Sequence, residues 1–188
     1  RKREELGQHL PGLIKNNMKP TKTFTNLATA LAFSPTAEAL LSEAKRISEK
    51  LGANLLLIHA GVKNRVTEEK ANLLLEKVEI NRDEVRLIWQ NGDPVKVLTQ
   101  VCLEEKVDLL ILGALKHEDV LKYYIGSIAR KISRNPPCSL LLITNPQLTK
   151  HSLRKVVVTG DNHPKTSNTI EKACHFAVNF NVKKVTVV

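Results

Sequence analysis

Short apolar runs alternate with amphipathic stretches along most of this chain. Leu27 to Phe33 is apolar and bounded by Ser34-Pro35, which predicts a buried strand. Thr36 to Leu51 then places Ala37, Leu40, Leu41, Ala44 and Ile47 at helical spacing with Glu and Lys between them. Ser34 can cap this helix, Pro35 suits its first turn and Gly52 ends it. Leu55-Leu56-Leu57-Ile58 has no polar interruption, as a parallel strand covered on both faces requires. The alternation continues with a helix at Thr67 to Val78, a strand at Val85 to Trp89 and a helix from Asp93-Pro94 to about Lys106. A fourth strand at Leu109 to Leu112, a helix including Ser127 to Arg134 and a fifth strand at Leu140 to Ile143 complete the set.

Strand and helix taking turns over short connections predict an α/β domain, a doubly wound five-stranded parallel sheet. Ligands of such sheets bind beyond the carboxyl ends of the strands. The candidate site therefore draws on Ala32 to Pro35, His59 to Gly61 and Gly113 to Lys116.

The pattern restarts after residue 150. Lys155 to Val158 reads as a strand, Asp161-Asn162-His163-Pro164 as a turn, Ile170 to Phe180 as a helix and Val185 to Val188 as a strand. Laid ungapped on the first unit at an offset of 129, Leu27 falls on Val156, Ala32 on Asp161, Pro35 on Pro164, Gly52 on Asn181 and Ile58 on Val187. This predicts a tandem repeat whose second copy stops after β-α-β. Such a unit must cover its sheet against the first domain, another chain or further residues. The expected organisation is a basic lead-in over 1–24, a first domain over 25–146 and the start of a second over 153–188, with Asn145-Pro146 in the break.

Composition narrows the function classes. At 42% hydrophobic and 26% charged residues the chain is an ordinary globular one, and no apolar run reaches the length of a membrane span. Nothing near Arg1 reads as a secretory signal. Cys102, Cys138 and Cys174 are odd in number and widely spaced, with no CxxC pair, so the expectation is free thiols in a reducing, cytoplasmic compartment. With 29 Lys and Arg against 19 Asp and Glu the net charge is +10, which favours phosphate-bearing partners. Aromatics are only 4%, however, and the basic residues are dispersed, which disfavours nucleic acid.

The stretch LLILGALKHEDVLKYYIGSIARKISRNPPCSLLLI, Leu109 to Ile143, resembles the C-terminal half of a universal stress protein domain. That family's pattern is a strand ending in Gly, two residues, a second Gly, nine residues, then Gly with Ser or Thr. Gly113 and Gly126-Ser127 stand at the family spacing. FSPTAEALLSEAKRISEKLGANLLLIHA and Asn91-Gly92-Asp93-Pro94 add to the resemblance, which covers 27–143; residues 155–188 resemble the opening of another copy.

In the nucleotide-binding branch of that family, the glycines admit a triphosphate to backbone N–H groups, and the helix after Gly-Ser points its positive end at phosphate. The resemblance assigns that role to Gly113, Gly126, Ser127 and the amides of Ile128 and Ala129. It implies ATP or another adenine nucleotide with Mg as the ligand to test for. Two departures stand out. The Asp that usually ends the first strand is Ala32, and the middle Gly is Lys116. Lys116 either reaches back to a phosphate or fills the pocket; the loss of both Asp and Gly favours a degenerate site. In the second copy Asp161 takes the Asp position, although Asp-Asn equally suits a tight turn.

Catalysis finds no support. The histidines show no HExxH spacing, no Ser lies in a GxSxG elbow and no carboxylates converge. His59 reads as structural, and Trp89 as core or interface. The expected function is a stress-response or regulatory protein acting through dimerisation or tandem pairing at the fifth-strand edge, Ser139 to Thr144, with an unidentified protein partner. Two alternatives remain: a regulatory domain of a membrane transporter, which the missing initiator Met and the basic segment Arg1 to Lys22 permit, and a working ATP-binding protein.

Overall fold

The computed structural model of the chain describes residues 24–114, 126–149 and 152–188. Five strands, β1 (Asn26–Ala30), β2 (Asn54–Ala60), β3 (Arg86–Gln90), β4 (Leu109–Gly113) and β5 (Ser139–Ile143), form one parallel sheet in the order β3-β2-β1-β4-β5. Between them run α1 (Ala37–Leu51), α2 (Arg65–Lys77), α3 (Pro94–Glu104) and α4 (Ser127–Arg134). The order reverses at β1, between β2 and β4, as the doubly wound expectation requires.

Strand alternation divides the core. Leu27, Leu57 and Ile111 point to one face and pack with Leu41, Ala44 and Ile47 of α1 and Leu75 of α2. Ala28, Ile58 and Leu110 point to the other and pack with Leu98 and Val101 of α3 and Ile132 of α4. The uninterrupted apolar strands follow from this two-sided cover. Thr29 is the polar exception: wholly buried, it donates from Oγ1 to the Ile111 carbonyl at 2.9 Å. Phe24, placed by the sequence in the lead-in, is 4% exposed and part of the first face's core. Residues 1–23 lie outside the described residues.

The helix ends follow local chemistry, with one correction. Asp93 caps α3 by accepting from the Val95 and Lys96 amides, with Pro94 in the first turn. Asn64 forms a reciprocal capping box with Thr67, so α2 starts two residues earlier than its apolar spacing suggests. Ser34 does not cap α1 with its side chain. Its carbonyl accepts from Ala37 N–H at 3.0 Å, Pro35 lies in the preceding turn and Thr36 holds the N-cap position. The first strand is also shorter than its apolar run, because past Ala30 only Leu31 N–H keeps a strand-like bond, to Ile58 O at 2.8 Å.

Beyond β5, β6 (Lys155–Val158), α5 (Thr166–Asn179) and β7 (Lys184–Val187) form a parallel β-α-β unit with its own two-stranded sheet. Helix α5 starts four residues before the predicted Ile170. On the first face α1 reaches as far as β4, and Leu141 and Ile143 of β5 need a further cover. Phe176 and Phe180 of α5 supply it, packing with Leu141 and Ile143 against the first face's core. Lys172 Nζ donates to Ser139 Oγ at 2.7 Å, and Arg46 of α1 lies over the Phe180 ring, 5.5 Å from its centroid. The second unit thus meets the first through a helix on a sheet face. Strand β5 pairs only with β4 among the described residues.

Candidate functional site

The candidate site lies at the carboxyl ends of β1, β2 and β4, facing the start of α4. Ala32 follows β1 as an exposed residue and offers no side-chain acceptor there. His59, at the end of β2, turns back across the strand ends. Its Nδ1 lies 2.8 Å from the Leu31 carbonyl, an acceptor, so Nδ1 carries the proton and donates. The ring then sits between Phe33, 5.1 Å away, and Trp89 of β3, 4.7 Å away, in tilted contacts. A side chain at Gly61 would meet His59 Nε2 at 2.6 Å, so the glycine makes room for the imidazole. Phe33 is 40% exposed, with Lys70 Nζ 6.0 Å from its ring centre. An aromatic row thus crosses the ends of β1, β2 and β3. Sequence reasoning reads His59 as structural and Trp89 as core or interface without joining them, because their side-by-side placement comes from the parallel register His59↔Trp89.

Gly113 ends β4 where a Cβ would touch Leu40 of α1 at 3.4 Å, so its small size also serves helix packing. Gly126 is the N-cap of α4, with an ordinary φ of −51° and no side-chain cap. Ser127 and Ile128 are exposed in the first helical turn, while Ala129 is buried in the core below. Their amides are therefore available at the positive end of the helix. Lys116 and the rest of 115–125 lie outside the described residues, so only Gly113 and Gly126-Ser127 of the glycine pattern are placed.

In the second unit Asp161 follows β6 and is exposed. Its backbone organises the turn: Asp161 O accepts from Thr166 Oγ1 and from His163 N–H, both at 2.8 Å. His163 Nδ1 accepts from Lys165 N–H at 3.1 Å, so His163 is tied to the backbone rather than to the Asp161 carboxylate. An open cavity of about 260 Å³ lies here, lined by Gly160, Asp161, His163, Lys165 and Thr166 among others. A larger groove of about 580 Å³ opens at the opposite, amino end of the first sheet. It is walled by Asn26, Asn54 and the Arg86–Glu105 ion pair, away from the glycine positions. Among the described residues no group of three His, Cys, Asp or Glu could hold a metal ion, and no helix is long and apolar enough to cross a membrane.

A five-stranded parallel sheet in this order, with helices on both faces, is a doubly wound α/β domain. Residues 60–144 match the model of the universal stress protein family. It is 26% identical over 137 residues to a universal stress protein of Thermus aquaticus encoded 3′ of QAH/OAS sulfhydrylase, covering 64% of this chain and 98% of that one. The crystal structure of a universal stress protein in complex with cAMP superposes with a TM-score of 0.52 at 18% identity, over 64% of this chain and 96% of the other. A universal stress protein from Archaeoglobus fulgidus superposes with a TM-score of 0.51 at 21% identity. That match covers 66% of this chain but only 45% of the other.

Proposed function

We propose that this chain is a regulatory universal stress protein that acts through contacts between domains, and that its first unit holds adenine nucleotide weakly or not at all. The observation that carries this reading is the row Phe33–His59–Trp89, which occupies the strand ends beside an Ala32 that has no carboxylate to offer. The +10 charge still attracts phosphate, but a diffuse field gives on-rate rather than a seat. The docking of α5 on the first sheet favours a chain built for domain pairing, and the outer edge of β5, unpaired among the described residues, leaves a place for a second copy of the chain. The β-α-β unit is read as the opening of a second domain. A chain of which less than half is matched by this one offers a precedent for a longer architecture. No hydrolysis of nucleotide is expected, since the sequence offers no catalytic motif and, among the described residues, no carboxylate follows β1 to activate a water.

A second reading keeps nucleotide binding, favoured by the relative solved with cAMP and by the available amides of Ser127 and Ile128. Calorimetric titration with ATP–Mg²⁺ and with cAMP separates the two. The wild-type chain is expected to give no saturable heat, and the double variant Ala32→Asp, Lys116→Gly to gain binding. Micromolar binding by the wild type would overturn the degenerate-site reading and make Lys116 a phosphate ligand.

A further inference from the structure

Cys102 and Cys138 are far apart in sequence and together in the fold. The chain leaves α3 after Cys102, turns at Lys106 (φ 52°) with Val107 N–H returning to the Cys102 carbonyl at 2.9 Å, and enters β4 at Leu109. Leu109 is the register partner of Ser139, the residue after Cys138. Both cysteines therefore sit at the amino end of β4 and β5. Strand alternation puts Cys138 on the face of Leu140 and Leu142, where Leu98, Val101 and Cys102 of α3 also pack. Cys102 belongs to that core and Cys138 packs against it, with Cys138 Sγ donating to the Ser139 carbonyl at 3.4 Å. Cys102 is 2% exposed, while Cys138 is half-buried at the rim of the edge strand.

We propose that Cys102 and Cys138 form a reversible disulfide site, oxidised by hydrogen peroxide or another small peroxide and reset by a dithiol reductant. The Cys138 thiolate attacks one peroxide oxygen; an S–O bond forms, the O–O bond breaks, and hydroxide leaves as water after protonation. The resulting sulfenic acid is then attacked by the Cys102 sulfur. An S–S bond forms, the S–O bond breaks, and the leaving hydroxide takes the Cys102 proton as a second water. The pair loses two electrons, and the peroxide is reduced to two waters.

The surroundings divide the roles. The hydrogen bond from Cys102 pulls the Cys138 thiol down, helped by the Leu110 backbone and the Lys172 ammonium, against burial and the Asp108 carboxylate. The same pairing, with burial, pushes the Cys102 thiol up. Cys138, half-buried at the rim where peroxide can reach it, is thus the peroxide-reactive thiol, and the buried Cys102 the resolving one. Lys172 belongs to α5, so the second unit's docking takes part in setting the reactivity of the first unit's thiol. The disulfide would tie the end of α3 to the free edge strand, next to the surface left for a second copy.

The test treats the whole chain with limiting hydrogen peroxide, unfolds and alkylates it, and maps the products by mass spectrometry. The expected product has lost two hydrogens, joins the Cys102 and Cys138 peptides, leaves Cys174 alkylated, and reverts with dithiothreitol. Cys102→Ala should instead accumulate a dimedone-reactive sulfenic acid on Cys138. Cys138→Ser should slow oxidation of Cys102 at least about tenfold, to the rate of a buried, protonated thiol. Circular dichroism establishes that each variant is folded. The proposal is overturned if both thiols stay alkylatable while Cys174 oxidises, or if folded Cys102→Ala gives no adduct on Cys138.

Discussion

Gly52 and Asn181 hold the same place in the two β-α-β units, each in the left-handed region just past its helix, at φ 60° and 51°. The bonds around them correspond as well. Ala53 N–H returns to Ser48 O and Val182 N–H to Ala177 O, while Gly52 and Asn181 donate to Glu49 O and Val178 O. Both helices end in one Schellman-type geometry, served by glycine in the first unit and by asparagine, the residue that tolerates it next best, in the second. A Cβ at Gly52 meets nothing within 4 Å, so substitution there changes backbone strain alone. Gly52→Ala is expected to cost about 1 kcal/mol and Gly52→Asn less than that. Urea midpoints should fall in the order wild type, Asn, Ala; an Ala variant as stable as the Asn variant would contradict the shared cap.

Helix α5 is bound to the first unit by mixed contacts. Phe180 stacks on Phe176 with centroids 4.3 Å apart and receives Arg46, while Lys172 reaches Ser139 and lies 5.8 Å from the centre of the Phe24 ring. Phe180→Ala removes a half-buried aromatic surface and should cost about 2 to 3 kcal/mol, less than a fully buried phenylalanine. Lys172→Ala should cost under about 1 kcal/mol, since its partner is a neutral hydroxyl near the surface. Hydrogen exchange gives a direct readout: Phe180→Ala is expected to raise exchange along α5 while leaving β1 and β4 protected. Unchanged exchange in α5 would mean that the contact holds nothing in place.

The five-stranded sheet was legible because both its faces are covered, which makes Leu55-Leu56-Leu57-Ile58 and Leu109-Leu110-Ile111-Leu112 unmistakably apolar. The second β-α-β unit was legible through β6 and α5, and its Thr166–His163 bond lies 129 residues from the Ala37–Ser34 bond. The correspondence slips by one residue afterwards. Asn26 pairs with Asn54, but Lys155 pairs with Lys184, a difference of one residue that an ungapped comparison cannot see. The site was only half legible. Ala32 and Gly126 are local features of strand and helix ends, whereas the Phe33–His59–Trp89 row and the Cys102–Cys138 contact depend on register between strands distant in sequence.

Asp108 shows how a single carboxylate fastens the start of the sheet. Its Oδ2 accepts from Thr25 N at 2.7 Å, Thr25 Oγ1 at 2.9 Å and Asn26 N at 3.1 Å, bolting the entry of β1 to that of β4. Its Oδ1 is buried without a partner among the described residues, a cost that the three bonds offset. Asp108→Ala leaves two backbone donors unmet and is expected to cost about 2 to 4 kcal/mol. Asp108→Asn retains an acceptor and should cost about half as much. Equal losses in the two variants, measured by chemical denaturation, would show that the charge rather than the hydrogen bonding matters.

The pH dependence of thiol alkylation separates the three cysteines. Because its hydrogen bond from Cys102 favours the thiolate, Cys138 should gain reactivity toward iodoacetamide at a pH below the ordinary thiol range, and keep it as pH rises. Cys102, pushed up by the same bond and by burial, should stay unreactive over the whole range in which the fold survives. In Cys102→Ala the bond is gone, burial and Asp108 remain, and the Cys138 midpoint should move upward. Lys172→Met removes a positive charge and should move it in the same direction by a smaller step, since the ammonium is the last of the lowering influences. Rates measured by peptide mapping from about pH 6 to about pH 9.5, an interval that spans the ordinary thiol value, would read these midpoints. A Cys138 midpoint that stays put in Cys102→Ala would mean that the two thiols do not share the proton, and the assignment of attacking and resolving roles would fall with it.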